Sequence, residues 1–153
     1  MYIIKTDYRS RILTELLNAI LTRIIDEEQG IDEVEILADV SKTSEDIIAG
    51  YAGKLYDIVP EFSKTAGNRN YQILNWAINI ALYLLYQRIE DYDVPQKVIK
   101  NYDDTIDDLQ KLSTGKFNIN IPPYIHECES EECADENNTL RRIGTAKMRS
   151  HTI

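Results

Sequence analysis

ILNWAINIALYLLY, residues 73–86, is the stretch that decides the fold. Only Asn75 and Asn79 interrupt its apolar side chains, so a helix built from it is apolar on nearly every face. Such a helix must be surrounded by other helices. The two amides need hydrogen-bond partners, which we expect in a core network or in an adjacent subunit. We therefore predict an all-α fold, a small four-helix bundle in which this helix is the buried centre.

Two further helices are predicted before the central one. Apolar pairs recur every four residues over positions 12–25, which is the spacing of one helical face, and Thr6 or Ser10 is available as a cap. A second apolar pattern runs over residues 31–56. The polar sequence SKTS at 41–44 interrupts that pattern and predicts a kink or a break there.

The central helix and the helix after it carry recognisable end signals. Asn68 or Asn70 is expected to cap the central helix after a loop over residues 57–69. Pro95 lies near the start of the next helix, where a missing N–H costs nothing. Gly115 fits the position just past the end of that helix.

Both ends of the chain are predicted to be extended arms. Residues 1–5 form a short segment that is β-branched in character. After the last helix, Phe117, Ile119 and Ile121 alternate with polar residues before a Pro-Pro stop. We expect these arms not to bury themselves against their own bundle, and to be held by companion molecules instead.

The polar tail beyond the second arm divides by charge. Residues 127–136 hold six acids and no base, whereas residues 141–149 hold four bases and no acid. Such a composition cannot bury enough apolar surface to fold alone. The domain prediction is a helical bundle over residues 1–115 and an extended C-terminal arm over residues 116–153. The candidate residues for subunit and partner contacts are Phe117, Ile119, Ile121, Tyr124, Arg141, Arg142, Lys147 and Arg149.

Composition limits the classes of function. The net charge of −9 argues against broad binding of duplex DNA through its phosphates, although DNA can pass a negative wall without sticking to it. Residues 1–6 lack the apolar core of a signal peptide. The fourteen residues of the stretch 73–86 are fewer than the roughly 20 that a membrane span needs. Cys128 and Cys133 lie in the polar tail, so a reducing compartment fits better than a disulfide framework.

Two clusters could carry chemistry, and both have plainer interpretations. The sequence DDTIDD at residues 103–108 could hold Mg²⁺ and a diphosphate, but it lacks a second acidic helix and is more simply a solvated acidic face. His126, Cys128 and Cys133 supply three soft ligands where a structural zinc site normally has four. The chain shows no phosphate-binding loop and no nucleophile motif. We therefore expect no enzyme activity, no metal and no cofactor.

Three segments carry a resemblance to a known family. They are IIAGYAGKLYD at 47–57, NIALYLLYQR at 79–88 and VPQKVIKNYDDTIDDLQKLSTGK at 94–116. In this order and spacing they resemble the Mu-like head–tail adaptor family, the connector or head-completion proteins of tailed phages and prophages. Lys54, Asn79 and Thr105 depart from residues that are frequent in that family.

The resemblance implies a structural virion protein of the phage neck. Such an adaptor forms a ring, commonly a dodecamer, below the portal and joins the DNA-filled capsid to the tail. The implied partners are further copies of itself, the portal protein and a tail, stopper or tail-completion protein, with DNA only as passing cargo and with no membrane. The implied location is the virion neck, after assembly in the host cytoplasm.

Two alternatives stay open at this point. The chain could be a cytosolic helical protein-interaction module that binds a partner helix. It could also be a small Mg²⁺-dependent enzyme that uses the aspartates of residues 103–108.

Overall fold

A computed structural model of the chain describes residues 1–27, 30–89 and 93–124. A 3-10 helix over Lys5–Ser10 comes first, and a short 3-10 turn over Ala66–Asn68 lies between the third and fourth α-helices. The α-helices are α1 (Thr14–Glu27), α2 (Glu33–Ala52), α3 (Val59–Phe62), α4 (Tyr71–Gln87) and α5 (Gln96–Ser113). The described residues contain no β-strand, only an isolated antiparallel bridge between Tyr56 and Pro123. The all-α prediction is confirmed.

Helix α4 is the centre of the bundle, as its sequence predicts. It packs against α1, α2 and α5, and most of its side chains are buried. Asn70 caps it, because the Asn70 side-chain oxygen accepts the N–H groups of Gln72 at 2.9 Å and Ile73 at 3.4 Å. The cap satisfies two of the N–H groups that have no partner inside the helix.

Helix α2 runs without the break that SKTS predicts. Ser41 and Ser44 are both buried inside a continuous helix. The Ser44 hydroxyl donates to the Val40 carbonyl at 2.7 Å, and the Ser41 hydroxyl donates to Glu45 at 2.9 Å. The expectation of a break was wrong because each hydroxyl finds its partner within its own helix, so neither needs water.

Helix α5 ends as predicted. Gly115 has a φ of 71°, in the left-handed region that favours glycine. Its N–H bonds the Leu112 carbonyl at 3.0 Å, while the N–H of Lys116 bonds the Lys111 carbonyl at 2.9 Å. This pair of bonds is the Schellman arrangement that closes a helix. Pro95 is the residue that directly precedes the helix.

The N-terminal arm is extended but is not free of its own bundle. Tyr2 and Ile3 are each 1% exposed. The Tyr2 N–H donates to Glu45 at 3.0 Å, the Ile3 N–H donates to the Ser41 hydroxyl at 3.3 Å, and Arg69 donates to the Tyr2 carbonyl at 2.7 Å. The expectation of an unburied arm was wrong here because polar groups of α2 and of the loop before α4 take up its backbone.

The described part of the C-terminal arm also lies against the bundle. Phe117 and Ile119 pack on the core and Ile121 is buried, so the predicted alternation is present but faces the chain's own body. The Phe117 ring lies 5.9 Å from that of Trp76. The backbone is held near the end of α2, where the N–H of Tyr124 donates to the Leu55 carbonyl at 2.9 Å. The expectation of a free arm was therefore wrong for residues 117–124.

Glu61 is the buried acid that joins the N-terminal arm to the loop before α4. It is 3% exposed. Its carboxylate accepts hydrogen bonds from Lys64 at 2.7 Å, from the Tyr2 hydroxyl at 3.0 Å and from the Asn70 N–H. Burial acts to raise the pKa of Glu61, but these donors outweigh burial and leave the pKa below its ordinary value.

The first prediction concerns this acid. Because folding favours the ionised form, its contribution is complete above the ordinary carboxyl pKa of about 4.3 and is lost as the pH falls through the lower folded-state pKa. Glu61→Gln should lower the free energy of unfolding at pH 7 by about 1.5–3 kcal/mol and flatten its fall at acid pH. Urea titrations from neutral to acid pH measure both.

Glu33→Gln is the control, since its ion pair with Lys5 is partly exposed and should contribute at most about 1 kcal/mol. If the free energy of unfolding falls equally steeply with pH in Glu61→Gln and in the unaltered chain, this account of Glu61 is contradicted.

The second prediction concerns Tyr8, whose ring is buried and whose hydroxyl has no hydrogen-bond partner among the described residues. Tyr8→Phe removes an unsatisfied polar group, so the free energy of unfolding should stay unchanged or rise by about 1 kcal/mol. Tyr2→Phe is the matched control, because it removes the hydroxyl that donates to Glu61 and should lower stability by about 1–2 kcal/mol. Urea unfolding at neutral pH compares the two. If Tyr8→Phe lowers the free energy of unfolding as much as Tyr2→Phe does, the Tyr8 hydroxyl is not the unsatisfied group described here.

Candidate functional site

An open groove of about 540 Å³ lies between α2 and α5. Each helix contributes four residues with the same spacing of i, i+1, i+4 and i+5, which places them on one helical face. The lining residues are Asp46, Ile47, Gly50 and Tyr51 from α2, and Tyr102, Asp103, Ile106 and Asp107 from α5.

The floor of the groove is apolar and aromatic. Ile47, Tyr51, Tyr102 and Ile106 are half-buried and pack against the core. The Tyr102 ring stacks on that of Tyr83 from α4, with 4.0 Å between the ring centroids and 16° between the planes. Burial raises the pKa of the Tyr102 phenol, and neighbouring Tyr83, Tyr51 and Asp103 raise it further. The phenol therefore stays neutral, and the floor offers rings and hydroxyls but no charge.

Gly50 keeps the groove wide on the α2 side. A Cβ atom built at Gly50 would meet nothing within 4 Å, so close packing does not require glycine there. A larger side chain at this position would project into the groove.

The rim of the groove is acidic. Asp103 and Asp107 are exposed, and neither forms an ion pair with any side chain in the described part of the chain. Asp46 pairs with Lys42 at 2.7 Å across an exposed turn of α2. A cation that approaches the groove therefore meets carboxylates that internal partners have not neutralised.

The other aspartates of DDTIDD lie elsewhere. Asp104 is exposed and does not line the groove, and Asp108 lies 3.8 Å from Lys111. Within residues 1–27, 30–89 and 93–124, no three His, Cys, Asp or Glu side chains are grouped so that they could hold a metal ion. His126, Cys128 and Cys133 lie outside the described residues.

Asn79 takes part in a core network between α4 and α5. Its amide nitrogen donates to the Thr105 hydroxyl at 3.0 Å, and that hydroxyl donates to the Asn101 carbonyl at 2.7 Å. Its side-chain oxygen has no partner among the described residues, and Asn79 lines a small pocket of about 30 Å³ together with Arg11 and Lys97. That volume is about the space of one water molecule. The pocket therefore has room for a water molecule and is too small for a substrate.

The predicted contact residues are divided between the core, the surface and the tail. Phe117, Ile119 and Ile121 pack on the bundle, whereas Tyr124 is 47% exposed. Arg141, Arg142, Lys147 and Arg149 lie outside the described residues, so their role stays a prediction.

Sequence reasoning missed the groove as a site. Its two sets of residues share a readable spacing, but nothing local says that α2 and α5 lie side by side.

Comparison with known proteins identifies a family. The family model described as bacteriophage Mu, Gp36 matches residues 2–135. Comparisons with curated proteins and with solved structures give no match. Among the described residues, no helix combines the length and the apolar character that crossing a membrane requires.

The groove yields a prediction about its glycine. Gly50→Ala should raise the free energy of unfolding by about 0.5–1 kcal/mol, because alanine favours the helix and its Cβ meets no neighbour. Gly53→Ala is the contrasting variant, since a Cβ there would lie 2.7 Å from the Ala49 carbonyl oxygen and should remove any gain. Urea unfolding measures both. Loss of stability in Gly50→Ala would show that this position needs glycine for packing.

Proposed function

The chain belongs to the bacteriophage Mu Gp36 family, which makes it a phage protein and points to a structural or assembly role, and we propose that this role is that of a head–tail adaptor. In this proposal, copies of the chain form a closed ring, a dodecamer, below the portal. The ring joins the DNA-filled capsid to the tail and keeps the channel between them continuous. The protein acts by binding and performs no chemistry.

The family match over residues 2–135 is the observation that carries the proposal. The partners that we infer are further copies of this chain, the portal protein and a tail or tail-completion protein. The place of action is the neck of the virion, reached after assembly in the host cytoplasm.

Exposed apolar residues near the start of the bundle support a contact between copies. Leu13, which directly precedes α1, is 73% exposed, and Leu16 in its first turn is 42% exposed. Their spacing of three places them on one side of the start of the helix. Val34, at the start of α2, is 67% exposed. A closed ring needs two different complementary patches on each copy, because its contacts run head to tail. We assign the Leu13–Leu16 face to one of these patches.

The overall charge fits a conduit for DNA. The net charge of −9 repels phosphates, so DNA can move past such a ring without adhering to it. A basic ring would hold the DNA by releasing its counterions. DNA is therefore cargo in this proposal and not a ligand.

The adaptor role predicts assembly on the portal. Purified chain mixed with the cognate portal should add a ring of density below the portal in electron micrographs. Leu13→Asp/Leu16→Asp should abolish that ring, because the charges would have to be buried at the contact. Circular dichroism should show a folded helical protein, since both side chains face water in the single chain.

Val59→Asp is the matched control for this experiment. Val59 is 68% exposed but lies on α3, so this variant should still assemble. If the unaltered chain forms no ring on the portal, the adaptor proposal is contradicted. If the double variant assembles as well as the unaltered chain, the assignment of the Leu13–Leu16 face to a subunit contact is contradicted.

A further inference from the structure

We propose that the groove between α2 and α5 binds the basic segment of the same chain, residues 141–149. This inference concerns the isolated chain, goes beyond the adaptor role and does not depend on it.

The chemistry of the groove selects a segment that is both cationic and apolar. The half-buried floor favours apolar side chains, and the unpaired Asp103 and Asp107 at the rim favour cations. Residues 140–149 read LRRIGTAKMR, with leucine, isoleucine and methionine interleaved among four bases. Arginine also stacks well on tyrosine rings, and Tyr51 and Tyr102 supply two.

The position where the described chain ends brings the tail close to the groove. The Tyr124 N–H bonds the Leu55 carbonyl at 2.9 Å, and Leu55 is four residues from Tyr51 of the groove. Four residues of backbone span at most about 14 Å. The tail therefore starts within reach of its own groove.

The spacer between Tyr124 and the basic segment is long enough for the return. It comprises sixteen residues, 125–140. As a flexible chain it would have a typical end-to-end distance of roughly 20 Å, and fully extended it would reach about 55 Å. A tether of this length gives an effective concentration in the millimolar range. A second copy at micromolar concentration cannot compete with that, so the groove is occupied by the tail of its own chain.

The acidic part of the tail cannot be the occupant. Residues 127–136 carry six acids and no base, and like charges repel across the acidic rim. The groove therefore discriminates between the two halves of the tail by charge. It rejects the half that lies nearer in sequence and accepts the half that lies farther away.

Carbodiimide cross-linking of the full-length chain tests the contact. This reagent joins a lysine amine directly to a carboxylate only when the two touch. Lys147 should form bonds to Asp103 or Asp107 and not to Asp104, which is outside the groove, and mass spectrometry of the digest identifies the pairs. Lys5 with Glu33 and Lys42 with Asp46, at 2.6 and 2.7 Å, serve as internal positive controls.

Isotope labelling separates the tail of the same chain from that of a second copy. In an equal mixture of unlabelled and ¹⁵N-labelled chains at low concentration, every Lys147 cross-link to the groove should join two light or two heavy peptides. Mixed light–heavy pairs in statistical proportion would overturn the assignment to the same chain.

Two variants test the contact without removing the reacting groups. Gly50→Leu fills the groove, and Arg141→Gln/Arg142→Gln/Arg149→Gln removes three of the four cations while Lys147 stays in place. Each should reduce the Lys147 cross-link yield about tenfold. Salt near 1 M should also reduce the yield of the unaltered chain, because the Debye length falls to about 3 Å. Ala38→Leu, an exposed site on α2 about three turns away, should leave the yield unchanged.

Two results would overturn the proposal. Absence of any Lys147 cross-link to Asp103 or Asp107, while the two positive controls react, would show that the basic segment does not occupy the groove. A yield that both Gly50→Leu and the triple arginine variant leave unchanged would have the same meaning. The tail variant has no substitution within the described fold, so a failure of Gly50→Leu to fold would leave the test intact.

Discussion

The apolar surface of α4 must be kept from water on every side, and the positions of the other elements follow from this constraint. Each large apolar side chain that α4 buries contributes about 1.5–3 kcal/mol. The helices α1, α2 and α5 cover most of it. The two end segments join the same core, since Tyr2 and Ile3 enter it from one end of the chain and Phe117 and Ile121 from the other.

Elements whose signals are local could be predicted from the sequence. The cap at Asn70, the stop at Gly115 and the apolar face of each long helix depend on residues within a few positions of one another. The arms could not be predicted, because their partners are remote. Tyr2 meets Glu61 across 59 positions, and the N–H of Tyr124 meets Leu55. A single sequence shows that residues 117–121 alternate, but not which surface they face.

The same distinction explains the groove and the serines of α2. The spacing 46, 47, 50, 51 is visible in the sequence, and so is the spacing 102, 103, 106, 107, but their adjacency is a product of the packing of α2 on α5. Ser41 and Ser44 look like a polar interruption because a sequence does not show that their hydroxyls bond within the helix. Polarity alone therefore predicted an interruption of the helix where satisfied hydrogen bonds allow it to continue.

Because the arms complete their own core, the proposed adaptor contacts must use other surfaces. A subunit whose ends were free until assembly would gain its core only in the ring, whereas this chain encloses α4 by itself. In our proposal the ring therefore forms from folded subunits, through exposed apolar residues such as Leu13 and Leu16. Interfaces between folded subunits can form and dissociate without unfolding either partner. In the proposed role, the chain would therefore dock onto the portal as a folded subunit and would not need to refold there.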